Sequence, residues 1–335
     1  MVILSYVFSP RVGGIEIASA ALAGQFAEMG YQVTVVTSTA ENDGKTYPYR
    51  LIRNPSPWRL IRAILWADVI LINNWSIRLG WPLYYIRRPT IVTTQIWLSN
   101  IKTVENLKRL SMWPFFQTAV SRYLAAHVRL NAKVIPNACD PTIFHNAHGQ
   151  RKPDSILFVG RLEKTKGVHI LLQAAHLLKK TNCSFNLTIA GNGPEMDALL
   201  AAVSRYDLRE EVSFTGTLTR QEIAKQMNRH EMVVVPSIWE EPFGMVAPEA
   251  LSCGCKLVVT RRGGLVEACG GCGFACENGD ADSLAEAIRA CRVFRINDTW
   301  IERRDRHLAS LSPLRVCRMY HDWFTALLDM KHCNI

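Results

Sequence analysis

No stretch of the 335 residues holds the roughly 18 uninterrupted apolar positions that a membrane-spanning helix needs. The opening residues, MVILSYVFSPRVGG, carry neither the basic n-region nor the small-residue cleavage site of an export signal, and they read as a first strand. A cytosolic chain is expected, held if anywhere on the surface of a membrane. Without an export signal the ten cysteines are expected to be reduced thiols rather than a disulfide framework. Internal repeats and low-complexity tracts are also missing. The most uneven shortage is of acid. From Arg50 to Arg129 there are two acidic residues, Asp68 and Glu105, against twelve lysines and arginines. That segment carries a net charge of +10, equal to the whole chain's, so everything outside it is balanced.

What is present is an alternation of strand and helix patterns from end to end, which predicts parallel sheets with crossover helices. Strands are expected at 2–7, 31–38, 68–73, 90–95 and 117–121, with another near Val134 and Ile135. A helix is expected over 14–30. The polar, unperiodic stretch 145–154 reads as a linker, after which the alternation restarts. Two separate doubly wound α/β units follow from this, and the tail 312–330 has helical periodicity.

The junction VVVPSIWEEPFGMVAPEALSCGC, residues 233–255, holds the first candidate site. A buried strand stops at Pro236-Ser237, where a parallel sheet usually binds its ligand. Gly244 lets a backbone approach closely, and Pro248 fits a first helical turn, which sets the helix start near Met245. The N–H groups of Phe243, Gly244, Met245 and Val246 then face the region beyond the strand and suit an anion. Glu249 accepts hydrogen bonds only and suits paired ribose hydroxyls, while Glu241 at the loop mouth suits a sugar. Acids beside an anion site fit a ligand that is both anion and polyol. In FVGRLEKTKG, residues 158–167, Arg161 and Lys166 offer a guanidinium fork and a point charge for a diphosphate. In SPRVGGIE, residues 9–16, Gly13 and Gly14 bring amides toward a phosphate or sugar, but the string is not G-x-G-x-x-G.

These strings, taken with VIPNACDPTIF, IAGNGPE, FTGTL, GGLVEACGGCGFACENGD and the E-x7-E from Glu241 to Glu249, closely resemble glycosyltransferase family 4. The likeness is strong over 131–290 and loose over 40–130. It implies two Rossmann-like doubly wound domains facing a cleft, the GT-B architecture, and transfer that retains anomeric configuration. The implied domains are an acceptor-binding domain at 1–148, a nucleotide-sugar donor domain at 149–311, and a closing helix at 312–335 packed toward the first. By position, Arg161 and Lys166 neutralise the donor diphosphate, Glu249 binds ribose and Glu241 the transferred sugar. Amides of residues 243–246, with Gly13 and Gly14, complete the set. Preorganised cations and amides stabilise the leaving diphosphate, so no cofactor or metal is needed. Many members carry a histidine where this chain has Gln95. Glutamine can meet a sugar hydroxyl but cannot act as a base, and retaining transfer can pass the acceptor proton to the leaving phosphate.

Other motifs have plainer readings. Cys253, Cys255, Cys269, Cys272 and Cys276 have spacing near that of a metal site, but small buried thiols explain them as well. Asp280-Ala281-Asp282 matches D-x-D, yet it opens a helix and reads as a cap. His169 and His176 read as packing or surface residues, and His145 and His148 as linker. In the basic segment, 55–67 and 106–119 read as helices that interleave cations with Trp, Leu and Phe, as helices in a membrane interface do. Aromatics in the core with solvated cations is the plain alternative, and single-stranded nucleic acid is a third. The expectation is a retaining hexosyltransferase that takes a UDP-sugar, or else a GDP-sugar, to a glycan or lipid-linked acceptor in cell-surface polysaccharide or lipopolysaccharide synthesis. It would sit on an anionic membrane surface through residues 50–129, without nucleic acid. A non-catalytic scaffold of the same architecture and a sugar-nucleotide epimerase are the alternatives.

Overall fold

The computed structural model describes residues 1–10, 13–98, 101–128 and 132–332. Arg11 and Val12 of the SPRVGGIE string and Arg129 of the basic segment lie outside them. The chain divides into two compact units, one made of Met1–Ala138 with Leu311–Ile335 and the other of Cys139–Ser310.

The first unit is a parallel seven-stranded sheet. Its strands are β1 (Val2–Ser5), β2 (Thr34–Thr37), β3 (Arg50–Arg53), β4 (Ile70–Asn73), β5 (Thr90–Thr94), β6 (Phe116–Ala119) and β7 (Lys133–Val134), in the order β3-β2-β1-β4-β5-β6-β7. Runs such as TVVT and ILIN are buried at every position, as strands covered on both faces must be. Helix α1 (Gly14–Glu28) and the C-terminal helix Pro313–His332 cover one face. There Leu22, Phe26, Val316 and Tyr320 share a core with Ile3, Val35, Leu71 and Ile91. The return from β3 to β4 reverses the direction of travel, so right-handed crossovers put α2 (Pro57–Trp66), α3 (Ile77–Gly80), α4 (Lys102–Met112) and α5 (Arg122–Val128) on the other face.

The second unit is a parallel six-stranded sheet of β8 (Lys152–Val159), β9 (Asn186–Ala190), β10 (Val212–Gly216), β11 (His230–Val235), β12 (Lys256–Thr260) and β13 (Gly273–Cys276). Its order is β10-β9-β8-β11-β12-β13. The helices are α6 (Val168–Lys180), α7 (Met196–Arg205), α8 (Arg220–Arg229), α9 (Val246–Ser252), α10 (Leu265–Ala268), α11 (Ala281–Val293) and α12 (Asp298–Ser310). Leu171, Leu178, Ile189, Val234 and Ile288 anchor its core. Both units are Rossmann-like α/β domains. No helix of the described residues is long and apolar enough to cross a membrane.

Three expectations need correction. The boundary lies at 138/139 rather than 148/149, and 145–154 is no free linker. Cys139 Sγ meets Ser252 Oγ at 3.4 Å, Ala147 N donates to Asn228 Oδ1 at 2.7 Å, and Lys152 already starts β8. Polarity there marks a solvent-facing edge. The helix expected over 106–119 instead starts at Lys102 and stops at Met112; Trp113 still has helical angles, but Pro114 has no N–H with which to continue the ladder. Strand β3 and helix α12 went unread, since RLIR is short and charged at both ends and α12 buries only Trp300.

The C-terminal helix is held to its sheet by apolar packing and by one buried chain of hydroxyls. Tyr320 Oη lies 2.9 Å from Thr93 Oγ1, which lies 2.8 Å from Thr118 Oγ1. Phe324→Ala should therefore lower the unfolding free energy by about 3–5 kcal/mol. Tyr320→Phe, which leaves the Thr93–Thr118 bond intact, should cost about 1 kcal/mol. Urea melts followed by tryptophan emission measure both.

Candidate functional site

In the second unit, β8 and β11 lie side by side where the strand order reverses. The crevice beyond the carboxyl ends at that switch point is where open parallel sheets take their ligands. The loops leaving these strands, residues 160–167 and 236–245, are stitched together. Ile238 N and Trp239 N both donate to Thr165 O, at 3.0 and 3.2 Å. Gly167 sits at φ +71°, and a Cβ there would lie 1.9 Å from Pro236 O, so only glycine allows this approach. From the far side, Gly264 N donates to Glu241 O at 2.7 Å. A Cβ on Gly263 would come within 2.7 Å of the same oxygen.

Inside this clamp the structure joins two of the sequence candidates. Lys166 Nζ donates to Glu241 Oε1 at 2.6 Å, and Ser237 Oγ donates to the same oxygen at 2.8 Å. Both side chains are largely shielded from solvent. Arg161 is not brought in: its guanidinium pairs with Glu163 at 2.5 Å and 78% of the side chain is exposed. Phe243 is buried, Gly244 turns the chain at φ +92°, and Met245 precedes the first residue of α9, Val246.

Glu249, one turn into α9, is buried beside Arg220, whose Nη2 is 3.6 Å from its Oε1. Burial pushes the Glu249 carboxyl up to about 7, outweighing the opposing pull of that guanidinium. Arg220 is the first residue of α8, inside the Thr219–Glu222 capping box. A cation there opposes the helix dipole, and it is compensated by Glu249 and by Asp140 Oδ2 at 3.8 Å. The guanidinium also lies over the Phe144 ring, and its Nε is buried with no partner among the described residues. The sequence reading missed Arg220 and Ser237. Ser237 stood inside the quoted junction, but nothing local to Arg220 signals a carboxylate 29 positions on.

The remaining candidates lie in the first unit. Gly13 is extended (φ −172°) and Gly14 opens α1, with nothing near the position of a Cβ on Gly14. Gln95 ends β5 and is 5% exposed. Its Nε2 donates to Asn73 Oδ1 at 2.8 Å, and its Oε1 accepts from Asn137 Nδ2 at 2.9 Å. Asn73 continues inward to Ser19 Oγ at 2.6 Å. Both ends of the Gln95 amide are thus engaged within the fold.

The cysteine cluster is a set of buried thiols. Cys255 Sγ donates to Met227 O at 2.9 Å and Cys276 Sγ to Val259 O at 3.5 Å, and burial pushes both up to about 11. Among the described residues no group of three or more His, Cys, Asp or Glu side chains is arranged to hold a metal. Asp280 caps α11, its Oδ1 accepting from Ser283 N at 3.0 Å. His176 stacks on Tyr206, and His145 Nδ1 lies 3.2 Å from Pro141 O.

Residues 141–291 match the family of glycosyl transferases group 1. A glycogen synthase of Mycobacterium tuberculosis is 39% identical over 140 residues, which cover 41% of this chain and 34% of that one. The match thus spans about a third of the curated relative. An uncharacterized glycosyltransferase of Methanocaldococcus jannaschii is 29% identical over 318 residues, covering 79% of this chain and 81% of its own. Among solved structures, the Anabaena protein HepE in complex with UDP and glucose superimposes with a TM-score of 0.77 at 21% identity, over 97% of this chain and 100% of that one. The fold is therefore one shared with GT-B glycosyltransferases.

The raised Glu249 carboxyl has a consequence for stability. Its proton is held more tightly in the folded chain than in the unfolded one, so stability falls as pH rises from about 4.5 to about 7 and levels off above. Glu249→Gln should remove a decline of roughly 1–3 kcal/mol from the pH profile over that window. Urea midpoints of both proteins, taken at half-unit steps, check the slope.

Proposed function

We propose that this chain is a retaining glycosyltransferase of family 4 that moves a sugar, a hexose by preference, from a UDP-sugar to a glycan or lipid-linked acceptor. The observation that carries the reading is the Lys166–Glu241 pair, held by stitched loops at the switch point of the second sheet, with buried Glu249 eight positions on. Cation and carboxylate meet at the carboxyl end of the sheet, where an open parallel sheet takes its ligand. The group 1 match over 141–291 and the UDP and glucose bound to Anabaena HepE support a nucleotide-sugar donor. GDP is the alternative base.

In this reading the donor diphosphate takes Lys166 from Glu241, and Arg161 leaves Glu163 to join it. Glu241 then accepts from hydroxyls of the transferred sugar and Glu249 from those of the ribose. The amides of residues 243–246 add to the phosphate contacts. The bond from the sugar's anomeric carbon to the diphosphate oxygen breaks with its electron pair passing to the diphosphate. The acceptor oxygen attacks from the same face and its proton passes to the departing phosphate oxygen. Lys166 and Arg161 lower the energy of that developing charge without a metal. Gln95, locked to Asn73 and Asn137, supports the fold of the first unit rather than moving a proton. The acceptor belongs to cell-surface polysaccharide or lipopolysaccharide synthesis, and the enzyme works on an anionic membrane surface through residues 50–129.

Isothermal titration with UDP, GDP and ADP tests the donor site. UDP should bind with a Kd of about micromolar to submillimolar order, and Lys166→Ala and Glu249→Ala should each weaken it by at least about tenfold. Glu241→Gln removes the carboxylate charge that pairs with Lys166, so it should tighten UDP while lowering sugar transfer by about a hundredfold or more. No binding by any of the three nucleotides would overturn the reading in favour of a non-catalytic scaffold.

A further inference from the structure

Helix α4 is turned inside out. Over Lys102–Met112 it buries only Met112. Past its exposed first residue, Lys102, its charged residues turn toward the protein: Arg109 pairs with Glu105 and donates to His127 O, and Lys108 Nζ donates to Leu98 O. Its apolar residues face solvent, with Leu107 61% and Leu110 68% exposed, Val104 beside them, and Trp113 77% exposed just past the end. An amphipathic helix of a globular protein normally does the reverse. This one presents an unpartnered apolar stripe at spacing i, i+3, i+6.

The stripe does not stand alone. Tyr84, in the 3-10 helix Trp81–Tyr84, donates to Ser111 O at 2.5 Å, and its ring lies 5.7 Å from that of Phe115. Arg88 Nη2 donates to Leu65 O at the end of α2. These contacts tie α2, the 3-10 helix and α4 into one layer on the first sheet. Helix α2 adds its own outward stripe of Trp58, Arg62, Leu65 and Trp66 at i, i+4, i+7 and i+8, all exposed, while Leu60, Ala63 and Ile64 face the sheet. Tyr85 is 82% exposed between them. Arg59, Arg62, Arg78, Arg87 and Lys102 are exposed over the same layer. The acids of the segment are Asp68 and Glu105, and Glu105 is already held by Arg109.

Apolar surface that cations border and acids avoid matches one kind of partner. Leucine and tryptophan enter the headgroup–acyl boundary while arginine and lysine meet anionic headgroups. A second copy of this chain would carry the same positive charge, so self-association of this layer sets like charges against each other. We propose that the α2–α4 layer seats the protein on an anionic bilayer, with the outward leucines of α4 and Trp113 immersed in the interface. This deepens, and rests on, the peripheral location proposed above, but it is independent of the donor chemistry, so a failure of UDP binding leaves it standing.

Co-sedimentation of the full chain with phosphatidylcholine vesicles, alone or with a quarter phosphatidylglycerol, tests it. The wild type should pellet several-fold more fully with the anionic vesicles than with phosphatidylcholine alone. Raising salt from about 0.1 to about 0.5 M should weaken binding without abolishing it, because screening removes the electrostatic part and leaves the immersed part. Leu107→Asp/Leu110→Asp should lose at least about tenfold in affinity and all of the salt-resistant binding. Arg59→Glu/Arg62→Glu should lose mainly the salt-sensitive part. Leu107, Leu110, Arg59 and Arg62 are exposed, and an unshifted melt in each double variant shows that its fold is intact. Equal binding to both vesicle types, binding unchanged in the leucine variant, a dimer that the leucine variant dissolves, or binding to single-stranded RNA in place of vesicles would each overturn the proposal.

Discussion

Everything at the candidate site depends on β8 and β11 being neighbours. Their pairing makes the strand order of the second sheet reverse, and that reversal brings the carboxyl ends of two strands, Val159 and Val235, 76 positions apart in sequence, to one crevice. Two glycines convert the adjacency into a clamp. At Gly167 and Gly263 a single methylene would collide with the backbone of Pro236 or Glu241. Loop positions are then fixed by backbone-to-backbone bonds through Thr165 and Gly264, and Lys166 and Glu241 meet as a consequence. Preorganisation of this kind lets a charged site receive a charged ligand without first ordering its own loops.

The ions of the second unit are in tension with one another. Lys166 neutralises Glu241, whereas Glu249 is left to Arg220, a cation that its own helix N-terminus disfavours. Desolvation dominates at Glu249, where the nearest guanidinium is 3.6 Å away and shared with Asp140. A ligand rich in hydroxyls offers that carboxylate donors besides Arg220, and a ligand with phosphates offers Lys166 a second acceptor. One molecule carrying both relieves both.

Much of this was legible in the sequence, and the parts that were not share a cause. Strands β1, β2, β4, β5 and β11 are apolar runs closed by turn residues, and the lone Gly244 and the pair Glu241 and Glu249 stand out because acids and glycine rarely end a buried strand for packing reasons. Asp280 showed itself as a cap by its place before a helical period. Contacts across long separations were invisible: Arg220 to Glu249, Asn228 to Ala147, Thr93 to Tyr320. The polar stretch 145–154 misled because a solvent-facing edge and a linker have the same composition. Gln95 misled in the opposite sense, since a polar residue at a strand end looks available until the fold supplies Asn73 and Asn137. The inside-out helix α4 was half legible. Its cations and aromatics were plain, but only burial shows that Arg109 and Lys108 turn inward and Leu107 and Leu110 outward.

The central claim is that the two stitched loops of the second unit form one nucleotide-sugar site. Hydrogen–deuterium exchange with and without saturating UDP-sugar reads it most directly. The account predicts slowed exchange in peptides spanning residues 160–167, 236–249 and 261–265 together, because a ligand held by one loop damps the others through Thr165, Gly263 and Gly264. Protection confined to other segments, with these three peptides unchanged, would contradict it.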